Sequence, residues 1–424
     1  MIEQIKKALQ AAGIAEYTIN ETRTESVECF FIRRKLDLKR RAELCEYAVT
    51  VFWPFEKDGK RMLGSSLARI HPEMTQTEME AVLASACHAA SFVANPWYEL
   101  PSGTQQPHLP SLSTLAGHSL EENMKAMVEA LFAGDTNQDV FLNSAEIFVK
   151  RMLRRIVSAR GIDVSFETCE AAGEYVVQCT APQDVETYHS FSYREADTDS
   201  LRREVKEALE TTRARAQATQ APAGGEYRIL LSGEQMRIFL NYYVKRAESG
   251  MIYQEYSGYQ TGTAVQGDAV RGDRLTIGLK AREPYSAEGI PMKDRPLLEN
   301  GILRTIHGGS RFAYYLGIEP TGNYDSIVVS TGEKPLAKLK QEPYLHIVSF
   351  SDFQMDAFSG HFGGEIRLAF LYDGERVRPV TGGSVNGSIL KVQERMIFSK
   401  ERYQNGRYEG PFAVALEGVP VAGV

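Results

Sequence analysis

The sequence predicts an α+β protein made of two unlike halves. In the first half, extended runs alternate with helical patterns, and the same order of elements occurs twice. In the second half, short β-branched and aromatic runs are separated by turn residues. A stretch rich in Ala, Gln, Thr, Pro and Gly at about 214–226 is typical of a linker. We therefore predict an N-terminal α+β domain over 1–220 and a C-terminal domain of mostly antiparallel β-structure over 227–424.

The first half begins with a short amphipathic helix, since Ile2, Ile5 and Leu9 fall on one face of residues 1–13. The first copy of the repeated unit is predicted as strands 45–53 and 61–70, a turn at 57–60 between them, and a helix over 76–93 with Thr75 and Glu78 as its capping box. The second copy is predicted as strands 163–169, 174–180 and 187–193, then a helix from Asp197 or Asp199 to 216. The shared order predicts a duplicated strand–strand–helix unit. Helices are also predicted near 119–133 and 143–159, after a segment rich in Pro, Gly and Ser at 95–117.

The second half shows hairpin signals. Strands are predicted at 228–231, 344–350, 366–372 and 412–416, with turns at Glu299-Asn300-Gly301, Tyr372-Asp373-Gly374-Glu375, Gln404-Asn405-Gly406 and Glu417-Gly418. Asn-Gly and Asp-Gly between extended runs favour tight hairpins. Helical pattern is limited to 232–245 and 310–316, and 382–387 is interpreted as a turn.

Composition narrows the class of protein. The chain has 424 residues, a formal net charge of −7 and five cysteines without a CxxC pair. Its start lacks the apolar core of a signal peptide, and no apolar run reaches the roughly 20 residues that span a bilayer. We expect a cytoplasmic protein with reduced thiols and no membrane partner. A basic cluster at 33–41 is interpreted as a solvated face over a core strand, with an acidic partner or nucleic acid as the less favoured alternatives.

One segment, residues 250–262, has the outline of a zinc peptidase site without its histidines. A zinc peptidase needs neutral imidazoles as ligands and a carboxylate that takes a proton from the bound water. Glu255 supplies a carboxylate, but Gln254 and Tyr259 flank it. We therefore predict no metal at these positions and no cofactor.

Several blocks of the second half together resemble the TldD/PmbA family, which is also described as a candidate modulator of DNA gyrase. The blocks are Glu288–Pro291, Leu298–Leu303, Gly317–Asn323, Phe358–Phe362, Tyr372–Gly374, Pro379–Gly387 and Leu416–Gly423. The resemblance implies a dimer that encloses a peptide-processing chamber. It also implies two branches: a TldD branch with His-Glu-x-x-x-His and a later Cys as zinc ligands, and a PmbA (TldE) branch that lacks them and acts as the partner subunit. Gln254 and Tyr259 stand at the two histidine positions, and no cysteine follows Cys179. The resemblance therefore implies the PmbA-like branch, with zinc expected only in a TldD-like partner.

Other residues remain candidates for a site. Tyr253, Tyr256 and Tyr259 either pack a surface or line a peptide groove. His307, His346 and His361 are the histidines from which a dispersed metal site could be assembled, and His361 lies between glycines, where backbone can approach a ligand. Tyr253, Tyr256 and His361 are the predicted peptide-binding residues.

Three functions follow from these residues. The first is a non-catalytic partner subunit of a TldD-type metallopeptidase that processes or degrades unfolded or leader peptides. The second is a divergent homodimeric metallopeptidase with non-standard ligands. The third is a stand-alone peptide-binding protein. The sequence leaves open the substrate peptide and the choice between heterodimer and homodimer.

Overall fold

The computed structural model describes residues 1–103, 105–136 and 139–423, so Val424, the last residue of the predicted C-terminal domain, lies outside them. The described strands form three sheets of seven, six and eight strands. Helices pack on mostly antiparallel sheets, which confirms the predicted α+β class.

The first half is a repeat of a longer unit than the sequence indicates. Its elements are α1 (Ile2–Ala11), β1 (Glu16–Ile32), β2 (Lys35–Lys57), β3 (Lys60–Ile70), α2 (Gln76–Ser91), β4 (Gln105–Leu109), a 3-10 helix (Thr114–Gly117), α3 (Leu120–Phe132), β5 (Val140–Ser158), β6 (Asp163–Cys179), β7 (Val185–Tyr193) and α4 (Thr198–Gln217). Helix, three strands and helix occur twice, as α1-β1-β2-β3-α2 and α3-β5-β6-β7-α4. The predicted strand–strand–helix unit is the last part of each copy.

The sequence prediction misses strands β1, β4 and β5 of this half. No element was predicted for β1, whose even-numbered residues from Thr18 to Glu28 are all polar. The helix predicted over 143–159 is wrong, because those residues lie in β5. Apolar residues occur on both faces of β5: Ile147 and Val149 pack with the helices, whereas Ile156 packs on the opposite face. A strand that is covered on both faces at different points imitates helical spacing.

The sheet of the first half has helices on one face only. Its order is β3-β2-β1-β5-β6, with β7 and β4 both on the outer side of β6. Ile19 packs with α1 and α2, and Val27 and Phe31 pack with α3. These three side chains share a face of β1, since odd-numbered residues of one strand point the same way. The described helices of the first half leave the opposite face uncovered; this helix-free face is turned partly towards the second half of the chain.

The second half has many short strands. Its elements are β8 (Gly225–Ser232), α5 (Gln235–Arg246), α6 (Ser249–Tyr253), β9 (Ile277–Leu279), β10 (Arg295–Glu299), β11 (Ile302–Leu303), α7 (Ser310–Leu316), β12 (Ile327–Val329), α8 (Leu336–Leu339), β13 (Tyr344–Phe350), β14 (Gln354–Met355), β15 (His361–Tyr372), β16 (Val377–Val380), β17 (Ser384–Ser388), α9 (Ile389–Val392), a 3-10 helix (Gln393–Arg395), β18 (Ile397–Phe398), β19 (Arg402–Asn405), β20 (Tyr408–Pro411) and β21 (Ala413–Ala422).

Five of these strands close into a ring. β13, β8, β21, β17 and β15 pair in that order, and β15 pairs back with β13. The hairpin turns predicted at Asn300-Gly301, Asp373-Gly374 and Asn405-Gly406 are confirmed. The turn predicted at Glu417-Gly418 is wrong, because these residues form a bulge inside β21. The interpretation of 382–387 as a turn is also wrong in part, since Ser384 begins β17.

The two halves use separate sheets. Strands up to β7 lie in the first sheet, and strands from β8 onward lie in the other two. The first residues of the predicted linker are helical, because α4 continues to Gln217, and β8 begins at Gly225. The division into domains at 220 and 227 stays a prediction. Among the described residues, the helices are all too short or too polar to cross a bilayer.

Candidate functional site

The segment that suggests a peptidase site is mostly not helical. α6 ends at Tyr253, and Gln254 and Glu255 follow it as exposed residues. Glu255 has a φ of 61°, in the left-handed region that side chains other than glycine rarely occupy. The chain then turns back, and the Tyr256 N–H donates to the Met251 carbonyl oxygen over 2.9 Å. These positions therefore lack the regular helical face on which paired ligands are usually presented.

Tyr259 is packed inwards. Its hydroxyl is buried. Burial raises the pKa of Tyr259 far above its ordinary value, so the phenol stays protonated. The Arg246 guanidinium carbon lies 5.5 Å from the centre of the Tyr259 ring. A protonated phenol beside a cation is a poor zinc ligand, so Gln254, Glu255 and Tyr259 do not fit that metal.

Tyr253 and Tyr256 belong to two different aromatic clusters. The Tyr253 ring lies 4.8 Å from Tyr315 and 5.7 Å from Phe312, both on α7. The Tyr256 ring meets Phe358 edge-on at 5.2 Å. Phe358 is 62% exposed and Tyr256 52% exposed, so this second cluster is an apolar patch on the surface.

The three candidate histidines do not meet. His307 is buried, and its Nε2 lies 3.0 Å from the Val244 carbonyl oxygen. His346 is also buried, with Nε2 2.9 Å from the Ser232 hydroxyl, and burial lowers its pKa to about 3. His361 is exposed and lines a shallow hollow with Asp352. Within the ranges that the structure describes, no three His, Cys, Asp or Glu side chains are placed to hold a metal ion.

A cleft of about 690 Å³ lies between the helix-free face of the first sheet and the second half of the chain. Strands β1, β2, β3, β5 and β6 form one wall, and the start of α6, the loop 283–288 and α7 form the other. Polar contacts hold the walls together: the Asn20 side-chain amide donates to the Ala287 carbonyl oxygen over 3.1 Å, and Arg154 Nη1 lies 2.7 Å from Glu283 Oε2. The cleft therefore needs both halves of the chain.

The charged residues that line this cleft differ in whether they have a partner of opposite charge. Glu283 is paired with Arg154, and Glu288 accepts from the backbone N–H of Ser310 over 2.8 Å. Burial, aided by the negative charge of Glu288, raises the pKa of Tyr98 to about 12. Arg311 has no carboxylate within 4.0 Å in the described chain. It donates to Asn95 Oδ1 over 3.0 Å and lies 4.3 Å from the centre of the Phe312 ring. Arg311 therefore lines the cleft as a positively charged residue that can pair with an anionic group of a ligand.

Sequence reasoning missed Arg311 and most of this cleft. The residues that line it come from segments more than 200 positions apart, and no local pattern links them. One signal was present, because Glu288 lies in the Glu288–Pro291 block that carries the family resemblance. Of the predicted site residues, Tyr253 stacks on residues of α7, and the first turn of its helix lines the cleft. Tyr256 and His361 lie outside the cleft lining.

Comparison with known proteins identifies the second half. The family model of the PmbA/TldA metallopeptidase C-terminal domain matches residues 224–423. This half of the chain is therefore a PmbA/TldD C-terminal domain, which confirms the predicted resemblance to the TldD/PmbA family. A metalloprotease of Methanothermobacter thermautotrophicus is 25% identical over 194 residues, which cover 40% of this chain and 42% of that relative. The matched part is thus less than half of that protein.

Solved structures extend the likeness to the whole chain. A candidate modulator of a DNA gyrase from Thermotoga maritima has a TM-score of 0.76 at 16% identity, with 100% of both chains covered. TldE from Thermococcus kodakarensis has a TM-score of 0.75 at 16% identity, over 99% of this chain and 100% of that one. A candidate modulator of DNA gyrase from Bacteroides thetaiotaomicron has a TM-score of 0.74 at 14% identity, over 100% of this chain and 99% of that one. At these identities the likeness establishes the fold.

Proposed function

We propose that this chain is a peptide-handling subunit of the PmbA/TldE type that binds extended peptide without cleaving it. The observation that carries the proposal is the chemistry of the 254–259 segment. An amide and a buried, protonated phenol stand where the family's zinc-binding branch has imidazoles. The carboxylate of Glu255 faces solvent without such ligands beside it. Zinc-dependent hydrolysis would then be supplied by a TldD-like partner.

The cleft supports peptide as the ligand. Its volume of about 690 Å³ is within the range of pockets that enclose small ligands, and its walls include both Tyr98 and Phe312. Aromatic walls accept side chains of many kinds, which suits a protein that handles varied sequences. Arg311 supplies a cation for a peptide carboxylate, and a guanidinium binds a carboxylate with two parallel hydrogen bonds.

Binding of a labelled peptide tests the role of the cleft. The probe is a fluorescein-labelled decapeptide of alternating Val and Ser, made with a free C-terminal carboxylate and as its amide, and anisotropy reports binding. We expect Arg311→Gln to weaken binding of the free acid by about tenfold or more, because a charge-assisted pair contributes roughly 1.5–3 kcal/mol. The amide should bind both proteins equally weakly. The control is Arg271→Gln, which removes an exposed arginine outside the cleft lining. Equal binding of the acid by the Arg311 variant and the unchanged protein would exclude Arg311 as the anchor.

Metal analysis and peptidase assays separate this proposal from a divergent metallopeptidase. We expect the purified chain to hold no stoichiometric zinc, to cleave no peptide alone, and to bind a homologue that carries both histidines. Zinc-dependent cleavage by the isolated chain would refute the proposal. If such cleavage were lost in Glu255→Gln, the chain would be a metallopeptidase with non-standard ligands.

A further inference from the structure

Part of strand β2 has a free edge. β3 pairs with β2 only from Tyr47 to Lys57. Between Lys35 and Glu46, β2 pairs with β1 on one side, and on the other side no strand of the described chain lies against it. The backbone N–H and C=O groups of this edge are therefore available to a further strand.

The equivalent edge of the second copy is covered. β6 corresponds to β2, and β7 pairs only with its later part, Ala171 to Cys179. The earlier part of β6 is covered by β4, which runs parallel to it and pairs with Asp163 to Phe166. The chain thus adds a strand at this position in one copy and leaves the same position open in the other.

The open edge has side chains suited to a contact. A bulge at Asp37 and the start of β3 pairing at Tyr47 leave Leu38 to Leu44 as a regular stretch. Leu38 and Leu44 are 47% and 55% exposed and lie on the helix-free face. Lys39 and Glu43 lie on the other face, and Lys39 has no carboxylate within 4.0 Å among the described residues.

We propose that this edge pairs with the same edge of a second copy of the chain, antiparallel, around a two-fold axis at Arg41. A two-fold axis perpendicular to the sheet keeps each side chain on the same face of the combined sheet. Residues directly opposite each other also share a face, so their residue numbers must differ by an even number. The axis at Arg41 is the centre of the stretch 38–44. It sets Leu38 against Leu44 of the second copy on one face, and Lys39 against Glu43 of the second copy on the other. Each pair occurs twice, and both kinds of pair are favourable across antiparallel strands.

The two Arg41 side chains would lie opposite each other at the axis, but repulsion between them does not oppose this pairing. Within its own chain, Arg41 lies 3.4 Å from Glu121, 3.5 Å from Glu25 and 4.0 Å from Glu43. These carboxylates balance its charge before the second copy arrives. Two antiparallel copies would then form one continuous sheet, with helices α1 to α4 of both copies on the same side.

The basic cluster at 33–41 is mostly engaged in contacts within the chain. Arg33 lies 3.2 Å from the centre of the Phe141 ring, the Arg34 side chain donates to the Asp135 carbonyl oxygen, and Arg40 Nε lies 2.5 Å from Glu28 Oε2. These three guanidinium groups are engaged within the chain, which argues against phosphate binding. Peptide binding in the cleft does not depend on this edge, so either proposal can fail without the other.

Reversal of single charges tests the pairing by sedimentation equilibrium of the full chain at micromolar concentrations. We expect the unchanged protein to be a dimer. Lys39→Glu places a glutamate opposite Glu43 of the second copy. This like-charge pair occurs twice in the dimer, so the dimer Kd should rise by about tenfold or more. The double variant Lys39→Glu with Glu43→Lys restores both pairs and should restore the Kd. The control Lys57→Glu makes the same charge change on β2 outside the free edge. A monomeric unchanged protein, or a Lys39→Glu variant with an unaltered Kd, would overturn the proposal.

Cross-linking tests the register. In a Cys45→Ser background, Arg41→Cys places two thiols at the two-fold axis. Directly opposed residues have Cα atoms about 4.5–5.5 Å apart, which a disulfide spans. Mild oxidation should give a covalent dimer of Arg41→Cys and none of the control Lys57→Cys. Failure of Arg41→Cys to cross-link in a protein that is dimeric by sedimentation would exclude this register.

Discussion

The two copies of the repeated unit share the order of their elements and the spacing of their buried residues, but they differ at their edges. α2 buries Met79, Leu83, Ala86 and Ala90, and α4 buries Leu201, Val205, Ala208 and Thr212. Each residue of the second set lies 122 positions after its counterpart (79 to 201, 83 to 205, and so on). The shared spacing of four, three and four residues means that both helices present the same face to the sheet.

The two copies differ where their outer strands and last helices contact other parts of the chain or solvent. In the second copy the outer strand is covered by β4, and α4 contacts strands of the second half. In the first copy the outer strand is open and α2 faces solvent on its far side. A duplicated unit therefore keeps its core positions, while its edges are adapted to what each copy contacts. The following predictions test how closely the two copies share energetics.

The largest effect is expected where α2 meets β3. A Cβ on Gly64 would lie 1.9 Å from the Ala90 carbonyl oxygen, which is far closer than real contacts. Gly64→Ala must therefore push the end of α2 off the sheet, and we expect it to lower the free energy of unfolding by roughly 3 kcal/mol or more. Thermal and urea unfolding measure this. Gly117→Ala is the control, since a Cβ there meets nothing within 4 Å. An unchanged midpoint for Gly64→Ala would mean that the helix does not approach the strand this closely.

A smaller effect is expected at matched core positions of the two helices. Leu83 and Val205 are both fully buried. Leu83→Ala should cost about 2–5 kcal/mol through lost burial and a residual cavity. Val205→Ala should cost less, because a shorter side chain is removed. Both variants should shift the same unfolding transition, since the copies share one sheet, and Lys206→Ala is the exposed control. Separate transitions for the two variants would show that the copies unfold independently.

The sequence predicts what depends on neighbouring residues. The helix over 76–93 was predicted from its capping box, and both hydrogen bonds of that box are present between Thr75 and Glu78. The hairpin turn at Asn300-Gly301 follows from the left-handed backbone of both residues, and the turn after Asn405 follows from the left-handed backbone of Gly406. The spacing of apolar residues in β5 wrongly predicts a helix, because these residues lie on both faces of the strand and distant parts of the chain cover each face.

The candidate site was less accessible to prediction for the same reason. That Gln254 and Tyr259 stand where the family resemblance implies histidines is a prediction from the sequence alone, because it concerns residue identity at fixed spacing. The inward packing of Tyr259 under Arg246, and the place of Arg311 between the halves, depend on tertiary contacts. Residue types that bind ligands can be named from sequence, but their convergence depends on the packing of the whole chain.

The last prediction concerns a polar residue that distinguishes the second copy. Glu204 of α4 stands where α2 has Val82, again 122 positions earlier, and it lines a cavity between the two halves. Burial raises the pKa of Glu204 to about 7. Between the unfolded value near 4.5 and pH 7, the folded chain holds this proton more tightly than the unfolded chain does. The contribution of Glu204 to stability therefore falls as the pH rises from about 4.5 to 7.

Glu204→Gln should remove this dependence, because an amide does not titrate. We expect the variant to gain stability relative to the unchanged protein as the pH rises from 5 to 8, measured as the difference between their urea midpoints. Glu210→Gln, an exposed residue of the same helix, should leave that difference constant. A constant difference for Glu204→Gln would mean that Glu204 is as well solvated as Glu210. The second copy would then have no ionisable group buried against the second half at this position, and in this respect would be equivalent to the first.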